Sequence, residues 1–348
     1  MNILIAAAKT GGHVYPAAEI CKVFINNGHR AIFIGTNSLI EKNALKDISQ
    51  VQYEHINMQG FRGNGILHKI LVILSIPLNI IKTLRIIWVN QIDSIIVFGG
   101  FITIPVSFAG LLFFKPIYVH EQNTVLGSAN KIVSTFSKKI FLGLPLHNNK
   151  INKSEITGNP IRQSFIPKAE DTQDDFIKIY ITGGSQGAQF FNEKLPMIFN
   201  DIKTPIFIKH QCGKDKKLEV IKLYGNSKNI DVEDFFNNPN LQIDWADFVI
   251  SRSGALSISE ITAMKKGSLL IPIPNSIDNH QLFNARYIER NGMGVVFEQN
   301  NEIKDLKDLI ENIIWTKQYL KWQEKDSSIN HIDAANKIYN SIMDNTRQ

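Results

Sequence analysis

Cysteine is scarce in this chain of 348 residues, which contains Cys21 and Cys212 and no others. The two lie far apart in the sequence and neither belongs to a Cys-x-x-Cys pair, so neither a zinc site nor a disulfide framework is indicated. The amino terminus also lacks the basic start of a secretory signal and leads directly into a glycine-rich turn. We therefore expect a protein of a reducing, cytoplasmic compartment.

The chain also lacks a dense concentration of positive charge. Its formal net charge is +6, and the Lys and Arg residues are scattered apart from the run at 214–217. A groove for nucleic acid would require a denser basic stripe with interleaved aromatic residues. The moderate charge favours attraction to an anionic lipid or a phosphorylated substrate, and we expect no nucleic-acid partner.

Short apolar runs followed by glycine turns and helical spacing recur through the sequence. Residues 2–7 are followed by Thr-Gly-Gly-His at 10–13, and residues 178–182 by the glycine turn 183–188, each before a helical pattern. A strand, a glycine turn and a helix open a doubly wound α/β domain. The first turn does not have Gly-x-Gly-x-x-Gly spacing, so the dinucleotide fingerprint is absent. The patterns predict an α/β protein with two Rossmann-like, doubly wound domains that face a central cleft.

The length of the chain allows two domains of about 150 residues. The sequence Gly-Asn-Pro-Ile-Arg at 158–162 follows a short apolar segment and precedes polar residues, which is typical of a linker. We expect an N-terminal domain at 1–162 and a C-terminal domain at 163–330. A last helical stretch, about 331–348, is expected to pack back on the first domain.

The stretch 248–260 has the features of a phosphate-binding junction. Three apolar residues end a buried strand, Ser253 and Gly254 have turn chemistry, and Ala255 begins a helix. Such a helix mouth attracts phosphate, because unsatisfied amides and the helix dipole both favour negative charge. Glu260 would then be placed to accept hydrogen bonds from a ribose diol. An ordinary capped strand–helix junction with a solvated glutamate is the alternative.

His13 stands at the entrance of the first predicted helix, directly after the first glycine turn. Glycines allow the backbone to approach a ligand closely, and an imidazole at this position could take a proton from a hydroxyl group. Because the carboxyl ends of parallel strands line the ligand crevice, the loops after Ala7, Phe98 and Val119 are expected to face one cleft. The alternative is that His13 only caps the helix.

Residues 66–89 resemble a membrane span but are interrupted. The interrupting residues are His68, Lys69, Pro77, Asn79, Lys82 and Arg85. These interruptions exclude an ordinary spanning helix of ~20 apolar residues. We predict an amphipathic, basic pair of helices that lies on a membrane surface, with Lys69, Lys82 and Arg85 near anionic headgroups. A buried, merely hydrophobic helix is the alternative.

Seven short motifs follow one another between residues 2 and 297. They are Thr-Gly-Gly-His at 10–13 with Pro16, Phe-Arg-Gly-Asn-Gly at 61–65, His-Glu-Gln-Asn at 120–123, Gly-Asn-Pro-Ile-Arg at 158–162, Gly-Gly-Ser-Gln-Gly-Ala at 183–188, Ser-Arg-Ser-Gly-Ala-Leu-Ser-Ile-Ser-Glu at 251–260, and Asp-Asn-His-Gln at 278–281 with Asn284 and Ala285. This ordered set resembles the MurG family, whose members belong to glycosyltransferase family 28 and add N-acetylglucosamine to lipid I.

The resemblance implies a GT-B fold, UDP-GlcNAc as donor, and lipid I (undecaprenyl-pyrophosphoryl-MurNAc-pentapeptide) as acceptor. It also implies an inverting displacement that forms a β-1,4 bond at the cytoplasmic face of the inner membrane. His13 matches the histidine proposed as general base in the family, and Phe236 is placed only by its distance to the Asp-Trp-Ala-Asp sequence at 244–247. The implied donor contacts are Thr10, Gly11, Gly12, Asn123, Arg162, Ser185, Phe236, Ala255, Leu256, Ser257, Ile258, Ser259, Glu260 and Gln281.

Apart from the resemblance, the chemistry of individual residues also fits an inverting glycosyl transfer. Inverting transfer needs a base for the acceptor hydroxyl and charge stabilisation for the departing UDP, without a covalent enzyme intermediate. His13 can supply the first, while the glycine turn 183–188 and the helix mouth at Ala255 can supply the second without a metal. No Asp-x-Asp pair stands at a predicted strand end in a suitable position, so we expect neither a metal nor a cofactor.

The sequence departs from the family pattern at two places. Ala8 and Lys9 stand where the family usually has two glycines, which affects how closely the backbone can approach a pyrophosphate unless Lys9 offers its charge instead. Ile104 and Val106 stand where glycines are common in relatives. The second departure concerns the acceptor side and leaves the donor site unaffected.

Two other functions share parts of the pattern. An isomerase of the UDP-GlcNAc 2-epimerase type has the same architecture and donor, but it needs acidic and basic groups around the sugar C2 that the sequence does not show. A non-catalytic UDP-sugar-binding scaffold is opposed by the presence of His13, Asn123 and Glu260. Expected partners are the two substrates, an anionic inner-membrane surface that binds the protein peripherally, and other proteins of cell-wall synthesis, cell shape and division.

Overall fold

The computed structural model describes residues 1–8, 10–58, 60, 65–148, 151–167, 176–225, 227, 229–325 and 327–347, without the side chains of 66–69 and 346–347. The chain divides into two compact units. Unit 1 comprises Met1–Arg162 and Ile329–Gln348, and unit 2 comprises Gln163–Ser328. Lys9 and most of the 61–65 motif lie outside the described residues.

The strands are short and parallel to their neighbours, and most of them are apolar. They are β1 (Asn2–Ala6), β2 (Arg30–Gly35), β3 (Gln52–His55), β4 (Ser94–Val97), β5 (Ile117–Glu121), β6 (Lys139–Leu142), β7 (Ser154–Ile156), β8 (Ile177–Thr182), β9 (Ile206–Gln211), β10 (Ile230–Glu233), β11 (Phe248–Ser251), β12 (Gly267–Leu270) and β13 (Gly294–Val296).

Helices connect most of the strands. They are α1 (Gly11–Asn26), α2 (Leu39–Leu45), α3 (Ile66–Val89), α4 (Thr103–Leu112), α5 (Ser128–Ser134), α6 (Gln189–Asp201), α7 (Lys217–Tyr224), α8 (Pro239–Trp245), α9 (Ala255–Ala263), α10 (His280–Arg290), α11 (Ile303–Trp315), α12 (Gln318–Gln323) and α13 (Ala334–Arg347). A 3₁₀ turn, Ile277–Asn279, precedes α10.

Unit 1 is a seven-stranded sheet in the order β3-β2-β1-β4-β5-β6-β7. Its central strands are buried on both faces, as expected for parallel strands covered by helices on each side. One face packs against α3 and α4 and the other against α1 and α13. The Tyr339 ring on α13 lies 5.0 Å from the Phe24 ring, and the Tyr339 hydroxyl shares a 3.1 Å hydrogen bond with His29 Nε2.

Unit 2 repeats the architecture with six parallel strands in the order β10-β9-β8-β11-β12-β13. A single apolar core contains residues of β8, β9, β11 and β12 together with α6, α7, α11 and α12. The aromatic rings of Phe248, Tyr319 and Trp322 meet within it at centroid distances of 5.8 and 6.3 Å from Phe248. The α/β interpretation of both halves of the sequence is therefore correct.

The sequence predicted a pair of helices at residues 66–89, but the structure has one helix, α3, that continues through Pro77. A proline removes one main-chain donor, but the helix continues because Ile76 and Ile80, on either side of Pro77, pack against the apolar core of unit 1. The Asn79 amide donates to Ser75 O at 2.9 Å and to Asn57 O at 3.1 Å. Contrary to the expectation drawn from its polar interruptions, the segment Ile70–Val89, with mean hydropathy 2.0 and 28% of it buried, is by length and composition alone sufficient to cross a membrane.

The expected linker at 158–162 is also different in the structure. Gly158, Asn159, Pro160 and Ile161 are buried in unit 1, and the boundary to unit 2 follows Arg162. Gly158 has a φ of +89°, and a Cβ there would approach Ile329 Cγ2 to 3.0 Å. The segment is therefore a packed part of unit 1, because the chain that re-enters this unit at Ile329 lies directly against it.

Candidate functional site

Each unit has one position where the strand order reverses. It lies between β1 and β4 in unit 1 and between β8 and β11 in unit 2. In open parallel sheets ligands bind outside the carboxyl ends of the strands at this switch point. The loops that follow β1, β4, β8 and β11 carry four of the stretches that the sequence singled out, so each unit has its own candidate site.

The first turn of α1 forms the unit 1 site after β1. The Thr10 hydroxyl and His13 Nδ1 share a hydrogen bond of 2.9 Å, so Thr10 does not use its side chain to cap the helix. The first turn of α1 has no acidic residue, and a Cβ added at Gly12 would have no neighbour within 4 Å. Main-chain amides at a helix mouth and open space above Gly12 are the features that an anionic or sugar ligand needs.

The loop after β4 contacts the His13 ring on the side opposite Thr10. Gly99 and Gly100 have φ values of +92° and +78°, which favour glycine. A Cβ at Gly99 would lie 3.3 Å from both His13 Nε2 and Asn130 Nδ2. The His13 ring is therefore confined between Thr10 and this glycine pair.

His120, at the end of β5, is a second histidine near His13, but its environment differs. It is fully buried, its Nδ1 lies 3.0 Å from Gln122 Nε2, and its Nε2 lies 3.2 Å from Gly158 O. Because an amide nitrogen can only donate, Nδ1 accepts and the ring proton lies on Nε2. Burial lowers the pKa of His120 to about 4, with a further lowering by His13, so His120 remains neutral. We assign it a structural role.

The other two predicted residues of unit 1 are also held in place. The Glu121 carboxylate accepts from the main-chain N–H and the side-chain amide of Asn123, both at 3.1 Å, and from the amide of Asn130 at 2.9 Å. The Arg162 guanidinium lies 5.5 Å from the centre of the Tyr15 ring on α1. Unit 1 therefore gathers all its predicted site residues, Thr10, Gly11, Gly12, His13, Asn123 and Arg162, on its carboxyl edge and on the adjoining turns of α1.

The glycine turn 183–188 forms one side of the unit 2 site. The Gly184 N–H donates to Thr182 Oγ1 at 3.1 Å, and the Gly187 N–H donates to Gly184 O at 3.0 Å. Gly184 and Gly187 have φ values of +79° and +68°, and Ser185 between them is exposed. A Cβ at Gly187 would collide with the carbonyl of Cys212, so the turn requires glycine there for packing as well as for its backbone angle.

The amino-terminal end of α9 forms the other side of the unit 2 site. This helix follows β11, the strand next to β8. Gly254 precedes the helix and has no side chain with which to cap it, and the first turn of the helix has no acidic residue. The Ser259 hydroxyl donates to Ala255 O at 2.8 Å inside the helix. A ligand at this mouth would therefore be bound mainly by main-chain amides. The predicted members of this stretch are Ala255, Leu256, Ser257, Ile258, Ser259 and Glu260.

Glu260, Phe236 and Gln281 border the same edge of unit 2. Burial raises the pKa of Tyr180 on β8, and the charge of Glu260 raises it further, which places Glu260 near that hydroxyl. The Phe236 ring lies 6.0 Å from the Tyr180 ring. The Gln281 carbonyl accepts from Ser253 Oγ at 2.7 Å, and its side-chain oxygen accepts from Ile273 N at 3.0 Å.

Arg252 is a cation at this edge to which sequence reasoning gave no role. Its Nη1 donates to Ile271 O at 2.9 Å, to Pro272 O at 3.2 Å and to Gln299 Oε1 at 2.9 Å, and its guanidinium lies 4.7 Å from the Phe191 ring. Burial lowers its pKa to about 10. These contacts tie Arg252 to the loop after β12.

Among the described residues, no group of three or more His, Cys, Asp or Glu side chains could hold a metal ion. The carboxyl edge of unit 1 carries the half-buried imidazole of His13. The carboxyl edge of unit 2 carries the main-chain amides of α9 and the carboxylate of Glu260. This combination suits proton transfer at one edge and binding of a phosphorylated nucleotide at the other.

Comparison with known proteins identifies the class. The N-terminal domain of glycosyltransferase family 28 matches residues 3–142, and the C-terminal domain of the same family matches residues 178–340. The chain therefore belongs to glycosyltransferase family 28 and is an enzyme of glycosyl transfer with the GT-B fold, as the sequence motifs predicted.

Within that family the chain is similar to enzymes that share one name. The UDP-N-acetylglucosamine--N-acetylmuramyl-(pentapeptide) pyrophosphoryl-undecaprenol N-acetylglucosamine transferase of Idiomarina loihiensis is 30% identical over 329 residues, which cover 92% of this chain and 91% of the relative. The enzyme of the same name from Shewanella frigidimarina is 33% identical over 307 residues, covering 86% and 83%.

Solved structures lead to the same family. The crystal structure of Acinetobacter baumannii MurG has a TM-score of 0.81 and 26% identity and covers 99% of both chains. A UDP-GlcNAc 2-epimerase from Neisseria meningitidis, bound to UDP-GlcNAc, has a TM-score of 0.70 at 12% identity over 99% of this chain and 100% of its own. The second likeness shows a shared fold only, so the transferase interpretation is supported over the isomerase.

Proposed function

We propose that this protein transfers GlcNAc from UDP-GlcNAc to the MurNAc 4-hydroxyl of lipid I, which gives lipid II for peptidoglycan synthesis. The observation that carries the proposal is the uncapped mouth of α9 beside the glycine turn 183–188, at the switch point of unit 2. It is a set of main-chain donors suited to a diphosphate. The identity of the substrates follows the shared name of the relatives.

In this proposal unit 2 binds the donor nucleotide. The amides of the glycine turn and of α9 bind the pyrophosphate, Glu260 accepts hydrogen bonds from the ribose, and Phe236, Ser185 and Gln281 contact the remainder. A carboxylate that accepts hydrogen bonds from hydroxyl groups contributes more than a neutral acceptor. The half-buried position of Glu260 beside Tyr180 supports this role.

Unit 1 supplies the base for the acceptor. His13 takes the proton of the MurNAc 4-hydroxyl as the oxygen attacks C1 of GlcNAc, the bond from C1 to the diphosphate oxygen breaks, and UDP leaves with the bonding electrons. Attack from the face opposite UDP inverts the configuration at C1. Amides that surround the departing phosphate stabilise its charge. We propose Thr10, Gly11, Gly12, Asn123 and Arg162 as further donor contacts.

Unit 1 also offers a surface for peripheral attachment to a membrane. One face of α3 is apolar and exposed, with side chains at helical spacing. These side chains are Leu71, Leu74, Leu78, Ile81 and Trp88. A groove of about 630 Å³, bordered by Trp88, Val89, Phe113 and Lys115, joins this face to the end of α4, where Phe114 is 93% exposed. A continuous row of exposed apolar side chains on one face of a helix is typical of an interaction site.

Cations lie close to this apolar face. Arg85 on α3 is exposed and Lys82 is half-buried, while the side chain of Lys69 lies outside the described residues. Insertion of apolar side chains and attraction of cations to anionic headgroups together give reversible binding. We propose the cytoplasmic side of the inner membrane as the location, because the lipid-linked acceptor is anchored there. Contacts with other proteins of cell-wall synthesis, and with them a part in cell shape and division, belong to the same proposal.

The proposal is tested by incubating the pure protein with UDP-GlcNAc and a soluble analogue of lipid I. Formation of the disaccharide lipid together with UDP supports the transferase. Formation of UDP-ManNAc without any use of the acceptor supports the isomerase, and binding of UDP-GlcNAc without turnover supports the scaffold. Replacing UDP-GlcNAc by UDP-GalNAc in the same assay tests the choice of sugar, and equal turnover of the two would contradict the assigned donor.

A further inference from the structure

Gln211 is the last residue of β9 and lies between the two donor-site loops of unit 2. In the sheet it pairs with Thr182 at the end of β8 on one side and with Glu233 at the end of β10 on the other. The glycine turn 183–188 follows β8, and Phe236 follows β10. Gln211 is 3% exposed, and neither its sequence position nor the helix mouths predicted a role for it.

Its carboxamide uses all of its hydrogen-bonding capacity. The side-chain nitrogen donates to Gly184 O at 2.9 Å and to Thr182 Oγ1 at 3.3 Å. The side-chain oxygen accepts from Phe236 N at 3.1 Å and from the Tyr180 hydroxyl at 3.4 Å. One buried side chain therefore bonds directly to the main chain of both loops.

These bonds have a direct bearing on the donor site. Thr182 Oγ1 accepts from Gln211 and also from the N–H of Gly184. The Thr182 hydroxyl therefore binds the N–H of Gly184, while the Gln211 carboxamide binds the carbonyl of the same residue. The Tyr180 ring contacts the Phe236 ring, and its hydroxyl lies near the charge of Glu260. A buried polar group whose partners are all satisfied makes its surroundings rigid.

We propose that Gln211 is a positioning residue of the donor site, which holds the glycine turn 183–188 and the Phe236 loop in the single arrangement that binds the uridine diphosphate. This inference rests on the proposed function, because it takes the ligand to be the donor nucleotide. Gln211 itself makes no contact with the substrate in this proposal. Its effect is on the fraction of molecules whose two loops are ready to bind.

The expected consequence is a change in donor affinity without a change in the chemical step. If only about a tenth of the molecules hold the binding arrangement, the apparent dissociation constant rises about tenfold. At saturating donor the bound nucleotide selects that arrangement, and His13 in unit 1 is untouched. The Michaelis constant for the donor should therefore rise by the same factor while kcat stays nearly constant.

The first experiment compares Gln211→Met with a matched control, Gln323→Met. Gln323 is also a glutamine of unit 2 that donates to a main-chain carbonyl, Asp247 O at 2.7 Å, but at the amino end of β11. Calorimetric titration with UDP should show about tenfold weaker binding for Gln211→Met and wild-type binding for Gln323→Met. Equal UDP affinity in the two variants would overturn the inference, whereas absence of UDP binding by the wild type would overturn the proposed function itself.

A second variant, Gln211→Glu, keeps the shape of the side chain and isolates the two donated bonds. An ionised carboxyl can still accept from Phe236 N and the Tyr180 hydroxyl, but it cannot donate to Gly184 O. Burial favours its protonated form, whose O–H can donate. The loss of UDP affinity relative to wild type should therefore shrink as the pH falls from about 8 to about 6. A ratio that stays constant over this range would contradict the role assigned to the Gly184 bond.

Discussion

Nδ1 of His13 lies 2.9 Å from the hydroxyl of Thr10, the residue immediately before α1. In the tautomer whose Nδ1–H donates to Thr10, the basic lone pair is on Nε2, the nitrogen that lies near Gly99. A ring whose second nitrogen is bonded in this way has a fixed orientation, which a general base requires. Under the proposed function, Thr10 therefore orients the ring of His13 in addition to contacting the donor.

Replacement of His13 by Ala should lower kcat about 10²–10⁴-fold, the usual range for loss of a general base, with little change in UDP affinity. Initial rates at saturating substrates and a UDP titration measure the two quantities. His55→Ala is a suitable control because His55 is exposed on the edge strand β3. Near-normal turnover by His13→Ala would leave His13 with only the role of a helix cap.

The sequence was most informative where a motif combined an apolar strand with a glycine turn. The junctions at 2–13, 178–188 and 248–260 all have the predicted strand, turn and helix. Glycine turns can be recognised in a sequence because few other residues adopt their backbone angles. The edge strand Gln52–His55 is not recognisable in the sequence because its residues are largely polar, so it lacks the apolar run that marks most of the other strands.

Residues that act through long-range contacts could not be found from the sequence. Gln211 belongs to none of the sequence motifs, and its four partners come from β8 and from the loops after β8 and β10. The burial of Gly158 depends on residue Ile329, far along the chain. The continuity of α3 through Pro77 likewise depends on packing, which outweighs the local preference of proline.

Replacement of Glu260 by Ala should weaken UDP binding by about 2–3 kcal/mol, the value expected for hydrogen bonds to a charged group. The reason is loss of the carboxylate acceptor for the ribose hydroxyls. Calorimetry with UDP and with 2′,3′-dideoxy-UDP checks it, since the variant and wild type should bind the second ligand equally. Glu311→Ala, at an exposed position of α11, is the control. Unchanged UDP affinity in Glu260→Ala would refute the ribose assignment.

The stability of unit 1 should fall as the pH decreases from about 6.5 towards about 4. Burial lowers the pKa of His120 to about 4, and burial together with the charge of Lys337 lowers the pKa of His331 to about 3. The unfolded chain therefore binds protons at pH values where the folded unit does not, so acid favours unfolding.

His331→Asn should reduce this dependence. An Asn side-chain oxygen can replace His331 Nδ1, which accepts from Asn159 N at 2.9 Å, but it does not titrate. The slope of the free energy of unfolding should decrease by up to about 1.4 kcal/mol per pH unit between about pH 6 and pH 5. Urea unfolding of the variant, of wild type and of the exposed control His55→Asn measures it, and parallel slopes would show that His331 is not the titrating group.

A matched pair of tryptophans tests the membrane surface. Trp88 at the end of α3 is 72% exposed within the apolar face of unit 1, and Trp315 at the end of α11 is 86% exposed on unit 2. Trp88→Glu should weaken binding to vesicles that contain anionic lipid by about tenfold or more, because it removes an inserted ring and adds a repelled charge. Vesicle flotation at low and high salt provides the measurement.

Trp315→Glu changes the same residue type and the same charge on the other unit, so it should leave vesicle binding unaltered. The double variant Lys82→Glu with Arg85→Glu separates the electrostatic contribution, since each cation near the surface contributes about 1 kcal/mol. It should bind less well at low salt, should lose most of its salt dependence, and should still turn over a water-soluble acceptor analogue. Equal loss of binding in Trp88→Glu and Trp315→Glu would show a general effect of charge, and the face of α3 would then not be the membrane-binding surface.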